Sequence, residues 1–201
     1  MAEAASPGLA RFRMILWILV AVAALAATAI FVLRPPAGPL AVTGQPFALQ
    51  STQGGTFTEK DLVGKPSMVF FGYTNCPDVC PTTLADTVAW KRALGVDDSK
   101  VRTIFVTVDP ERDTLPVVTQ YLAGFDPNVI GLVGSAEETK QAEASFGATS
   151  SFTEKDATGF YLVNHTASVF LIDANGRFQS TIAYQEPIDT ATGKLKRLIG
   201  G

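Results

Sequence analysis

The chain holds two cysteines and one histidine, and their settings narrow the chemistry open to them. Cys76 and Cys80 lie in FFGYTNCPDVCPTTL, directly behind an apolar run. Pro81 suits the first position of a helix, which would make Cys80 its cap. A thiol at a helix N-terminus meets unpaired N–H groups and the positive end of the dipole, and both favour thiolate. Thiolate is the species that redox exchange and soft-metal ligation need. The Cys-x-x-x-Cys loop is short enough to close as a disulfide and flexible enough to aim both sulfurs at one ion. A purely stabilising disulfide is the plainer alternative, although so small a loop removes little entropy from the unfolded chain. A zinc finger is excluded, because it needs four ligands.

His165 stands in YLVNHTASVFLIDANG, just ahead of another apolar run. By itself a solitary histidine is more often a packing or surface residue than a ligand. Acidic side chains form a further group, Asp109, Glu111 and Asp113 in VDPERDT, which can serve as helix caps, supports of metal ligands or acid–base groups. Asp113, next to Thr114, is expected to cap a helix. Asp109, at the end of a strand, is expected to orient or tune metal ligands. Asp78, between the cysteines, is expected to be a solvated loop residue.

These groups need a scaffold, and the hydrophobic pattern describes one. Residues 47–50 and 56–58 flank Gly54-Gly55 as a hairpin, and 67–73 (SMVFFGY) is a buried-strand run. Helix signals then occupy 81–94, 114–124, 136–146 and 187–199. Strand signals fall at 101–108, 130–133, 168–172 and 177–184, with Asp173 to Gly176 (DANG) turning the last two. Strands alternating with helices and closed by a hairpin and a helix predict an α/β fold with a mixed sheet and active groups at strand carboxyl ends. In a thioredoxin-like version of that fold, the loop before strand 168–172 faces the helix start that bears the cysteines. Two thiolates and an imidazole then converge. Such a set suits Cu(I), and with an extra ligand Cu(II), whereas zinc prefers closure by a fourth ligand. No second histidine exists to build a blue-copper centre.

Three strings together, FGYTNCPDVCPTTL, FVTVDPERDTLPVVTQYL and YLVNHTASVFLIDANG, resemble the Sco/SenC family of copper-binding, thioredoxin-like proteins, over about residues 45–199. The resemblance implies copper bound by Cys76, Cys80 and His165. It also implies delivery of copper, or of reducing equivalents, to the dinuclear copper site in subunit II of cytochrome c oxidase, and a single N-terminal membrane anchor. An upstream copper chaperone and a thiol reductase would then be further partners. Departures are mild: Thr166 stands where many members carry serine, and the C-terminal helix is short.

Two other readings use the same residues. A thiol-disulfide oxidoreductase of the periplasm, with Cys76 and Cys80 as its redox-active pair, would act without copper. The Cys-x-x-Cys spacing is missing, however, and no proline precedes the strand at 168. A peroxidase would need a threonine three residues before the cysteine, and Thr74 lies two before Cys76.

Residues 14–33 read MILWILVAVAALAATAIFVL, in which Thr28 alone falls outside the apolar class. Twenty residues rise about 30 Å, the thickness of a bilayer's hydrocarbon core. Arg11 and Arg13 precede the run, and after Arg34 the next basic residue is Lys60. The expectation is therefore residues 1–13 in the cytoplasm, an anchor at 14–33, a linker at 34–46, and the domain 47–201 in the periplasm of a bacterium, held by one span of the inner membrane. A cleavable signal ending at Ala27-x-Ala29 competes with this, but the apolar run continues through residues 30–33. Setting aside the first forty residues leaves about 160, a usual size for one core. After residue 34 the chain carries five more acidic than basic residues and no basic stretch, so nucleic acid is not an expected partner.

Overall fold

A computed structural model describes residues 7–32 and 45–200 and divides the chain into two units. The first holds helix α1, Pro7–Val32. Its side chains are described at 11–26 and at Thr28, where Phe12, Trp17 and Leu25 are exposed. Residues 11–26 rise only about 24 Å, and among the described residues no helix is long and apolar enough to cross a membrane. The expected span, 14–33, runs past them. Residues 1–6 and, apart from Gln45 and Pro46, the expected linker 34–46 also lie outside the described residues.

The second unit contains β1 (Ala48–Ser51), β2 (Thr56–Thr58), a 3-10 turn (Glu59–Leu62), β3 (Ser67–Gly72), α2 (Val79–Leu94), β4 (Arg102–Thr107) and α3 (Leu115–Ala123). There follow β5 (Ile130–Val133), α4 (Ala136–Phe146), β6 (Ser150–Phe152), β7 (Val163–His165), β8 (Val169–Ile172), β9 (Phe178–Ile182) and α5 (Ile188–Ile199). Every expected element of this unit is present, with ends moved by a residue or two. Seven strands form one sheet in the order β2-β1-β5-β4-β3-β8-β9. β3 runs parallel to β4 and β4 to β5, while the remaining pairs are antiparallel. The sheet is mixed, and β3-α2-β4 followed by β8, β9 and α5 is a thioredoxin-like arrangement.

The apolar run SMVFFG makes β3 the central strand because a strand covered on both faces needs apolar residues at successive positions. All six of its residues are buried. Phe71 packs on Phe146 of α4, with ring centres 5.4 Å apart, and on Phe170 of β8 at 5.9 Å. Phe70 and Gly72 face the opposite way, toward Phe105 and Cys80, on the side where α2 packs beside α5. The first turn of α2 therefore sits at the carboxyl end of β3.

The structure corrects the sequence reading at two places here. α2 begins at Val79, so Pro81 is its third residue and Cys80 its second, not its cap. Asp78 holds the cap position without a side-chain capping bond. A two-stranded antiparallel ribbon of β6 and β7, separate from the main sheet, also carries His165 at its end. Strands of three residues, partly exposed, have too few positions to show a period-two pattern.

Candidate metal centre

Three segments bring their ends together above β3. The loop after β3 carries Cys76, the first turn of α2 carries Cys80, and β7 ends at His165. Both sulfurs and an imidazole nitrogen lie within 4.8 Å of one another. Cys80 Sγ is 3.3 Å from His165 Nε2. Cys76 Sγ accepts the backbone N–H of Cys80 at 3.4 Å, doing at the helix start what a capping oxygen does elsewhere. His165 Nδ1 lies 3.1 Å from the Thr166 carbonyl. A carbonyl only accepts, so this contact assigns the ring proton to Nδ1 and turns the Nε2 lone pair toward the sulfurs.

Both cysteines are free thiols, Cys80 buried and Cys76 half-buried. A hydrogen bond from Cys80 holds the Cys76 thiol well below its usual range, and the backbone N–H groups of Asp78 and Cys80 add to this against the cost of burial. The same bond raises Cys80, and burial raises it further. The pair thus keeps one proton, on Cys80, and presents a thiolate at Cys76. An open cleft of about 270 Å³ exposes this sulfur between Pro77, Leu162 and His165.

The frame around the donors comes from residues that sequence reasoning left aside. Gly72 lies beneath Cys80, where a Cβ would stand 2.9 Å from Cys80 Sγ and 2.8 Å from the Phe105 ring. The rings of Tyr73 and Phe70 meet the imidazole edge-on, with centres 5.8 and 5.9 Å away. Gly72 and Tyr73 are adjacent to the cysteine loop in FFGYTNC, and that adjacency was the available signal.

Asp113 does not cap α3; Thr114 holds that position. Its carboxylate is fully buried and accepts the Thr74 N–H at 3.0 Å, the Thr74 hydroxyl at 2.6 Å and the Thr107 hydroxyl at 2.6 Å. The cysteine loop is thereby pinned to the end of β4. Burial raises the Asp113 pKa, opposed by these hydroxyls. Asp109, also fully buried, pairs with Arg112 and accepts the Tyr161 hydroxyl at 2.8 Å. No contact of Asp109 with the sulfurs or the imidazole is present among the described residues. Asp78 is not merely solvated, since it accepts the Tyr184 hydroxyl at 3.4 Å. Thr74 and Arg112 are both engaged in these networks, and neither points to a peroxide pocket.

Fold and donors define a class: a thioredoxin-like domain with two thiols and one imidazole gathered at the carboxyl end of its central strand. The family model described as SCO1/SenC matches residues 36–200, and the chain belongs to this family. It is similar to Protein SCO1 homolog 1 of Arabidopsis thaliana, 37% identical over 169 residues that cover 82% of this chain and 49% of that one. Among solved structures, copper-bound ScoI of Bradyrhizobium japonicum superposes with a TM-score of 0.69 at 41% identity, covering 76% of this chain and 97% of that one. Copper-bound ScoI of Arabidopsis thaliana gives a TM-score of 0.71 at 36% identity, covering 79% and 99%. The chain spans about half the length of the curated relatives it matches.

Proposed function

We propose that this protein is a membrane-anchored copper metallochaperone, with Cys76, Cys80 and His165 as ligands and the dinuclear copper site of cytochrome c oxidase subunit II as the recipient. The observation that carries the reading is the meeting of two sulfurs and one imidazole nitrogen within 4.8 Å. Relatives solved with copper bound support the choice of metal. Two soft sulfurs and a neutral imidazole match Cu(I), and three donors leave room for a partner's thiol to enter before one of them leaves. Loading displaces the proton of Cys80, so uptake releases acid. The apolar run 14–33, with Arg11 and Arg13 ahead of it, is the anchor in this reading, and the domain works in the bacterial periplasm. An upstream copper chaperone loads the site, and a thiol reductase keeps it reduced.

The second reading, reduction of a partner's disulfide, is favoured by one observation: Cys76 faces the open cleft while Cys80 is buried behind it. Cys76 would attack the partner's disulfide, and Cys80 would resolve the mixed disulfide. Two electrons and the pair's one proton pass to the partner, whose second sulfur takes its proton from solvent, and the reductase restores the pair. The full-length chain in detergent, titrated anaerobically with Cu(I), separates the two. One copper per chain and a severe loss of affinity in His165→Ala are expected. An unchanged affinity in that variant overturns the metal reading, and disulfide reduction that survives His165→Ala supports the second.

A further inference from the structure

The ribbon that carries His165 forms no ladder with the main sheet, yet its imidazole lies 3.3 Å from Cys80 Sγ. Something other than strand pairing must hold it there. At its outer side Lys140 of α4 reaches Ser150, the register partner of His165, at its carbonyl (3.0 Å) and hydroxyl (2.9 Å). At the side facing the cysteines Lys155 lies 5.0 Å from the centre of the Tyr161 ring, but the contacts of Arg112 run to both ligand-bearing segments. Its Nε pairs with buried Asp109. Its Nη1 donates to the Tyr161 carbonyl at 3.1 Å. Its guanidinium lies 3.6 Å from the centre of the Tyr161 ring and 5.7 Å from that of Tyr73. Tyr161 leads into β7 and His165, whereas Tyr73 leads into Cys76 and touches the imidazole. Asp109 closes the circuit by accepting the Tyr161 hydroxyl at 2.8 Å. It is itself fixed to β4 through Thr107, whose hydroxyl accepts the Asp109 N–H at 3.0 Å.

The structure assigns Arg112 the part of a positioning residue, a strut between the histidine ribbon and the cysteine loop that sets how far the imidazole stands from the sulfurs. The assignment rests on the copper reading of the site, although the strut itself exists without metal. Arginine suits the place because its planar fork can donate along two edges while its face stacks on aromatic rings. Lysine offers a single charged point, which can satisfy Asp109 or the Tyr161 carbonyl but cannot stack between the two tyrosines. Asp109, expected to tune the ligands, then acts at one remove, as the anchor of the strut.

The test compares the full-length wild type with Arg112→Met, Arg112→Lys and Tyr161→Phe. In the metal-free proteins, hydrogen exchange is followed at the amides of Leu162 and Thr166, which donate to Thr153 Oγ1 and to the Thr149 carbonyl. Amides of β3 and β4 serve as the internal reference. Arg112→Met should speed exchange at Leu162 and Thr166 by about ten-fold or more while the reference amides keep their rates. Its Cu(I) affinity should fall about 10–100-fold, the usual effect of losing a group that orients a metal ligand. Arg112→Lys should remain close to Arg112→Met in both readouts. Unchanged ribbon exchange in Arg112→Met overturns the inference, as does full recovery by lysine, which would mean that charge alone is required. If Arg112→Met fails to fold, Tyr161→Phe decides, since it removes only the hydroxyl that donates to Asp109 at 2.8 Å and more distantly to Glu111 at 3.4 Å. It should speed the same two amides several-fold, and no change there overturns the strut. A wild type that takes up no copper would defeat the copper reading, while the exchange comparison would still decide whether the strut exists.

Discussion

Replacing Gly72 by alanine tests whether the floor of the site is built for the sulfur of Cys80. The added Cβ would stand 2.8 Å from Phe105 Cε2, 2.9 Å from Phe70 Cε1 and 2.9 Å from Cys80 Sγ. Ordinary carbon contacts begin near 3.5 Å, so each neighbour must retreat by about 0.6 Å. Phe70, Phe105 and Cys80 are fully buried, and no one of them can move without meeting another. Overpacking of this kind costs about 1–3 kcal/mol, which for a domain of this size lowers the melting temperature by about 2–12 °C. The sulfur is the one of the three that belongs to the donor set, 3.3 Å from His165 Nε2, so its displacement passes directly into the donor geometry. A shift of half an ångström or more at a ligand is about the limit that a preorganised site tolerates. Gly131→Ala supplies the control: its Cβ would be as crowded, 2.6 Å from Val118 Cγ1, 2.7 Å from Thr52 Cγ2 and 2.9 Å from Leu122 Cδ1, with no donor nearby. Circular dichroism melts and anaerobic Cu(I) competition on both variants should give similar thermal losses, with an affinity loss of about ten-fold or more in Gly72→Ala alone. Equal copper affinities in the two variants would refute the argument.

Two further outcomes follow from the charge states. At pH 6 an ordinary thiol is only about 0.3% thiolate, whereas Cys76, its pKa lowered chiefly by the bond from Cys80, is almost fully ionised. Iodoacetamide should label Cys76 and spare Cys80 at pH 6, at a rate nearly constant to pH 8, over which a free thiol's rate rises about 75-fold; a parallel rise would contradict the assignment. Asp113 has a folded pKa raised by burial above its unfolded value, so the folded state binds its proton more tightly and stability falls as pH rises from about 3.9 through the folded value. In urea titrations, the stability of the wild type relative to Asp113→Asn should therefore decrease with pH across that window; a difference that grows with pH would be inconsistent with it.

Much of the scaffold was legible because its signals are local. The continuous apolar run of β3, six residues closed by Gly72, is the length and composition of a strand covered on both faces, and Ser135 with Glu138 forms a capping box that starts α4 where the periodicity places it. The ribbon of β6 and β7 was not legible. It is tied to Lys140 on α4, ten positions before Ser150, and to Arg112 after β4, 49 positions before Tyr161, and three-residue strands carry no period of their own. Asp113 illustrates the same limit. Its position before Thr114 favours capping, but the folded chain brings Thr74, 39 positions away, to its carboxylate.

The sequence by itself determined the donor atoms and the order of elements, since side-chain chemistry and hydrophobic period are properties of residue types and short windows. Tertiary structure alone decided that Cys80 and His165, 85 positions apart, stand 3.3 Å from each other. It also decided which acid pins the cysteine loop and which anchors the arginine. Those are distances between segments, set by how buried faces pack, and no local stretch of residues encodes them.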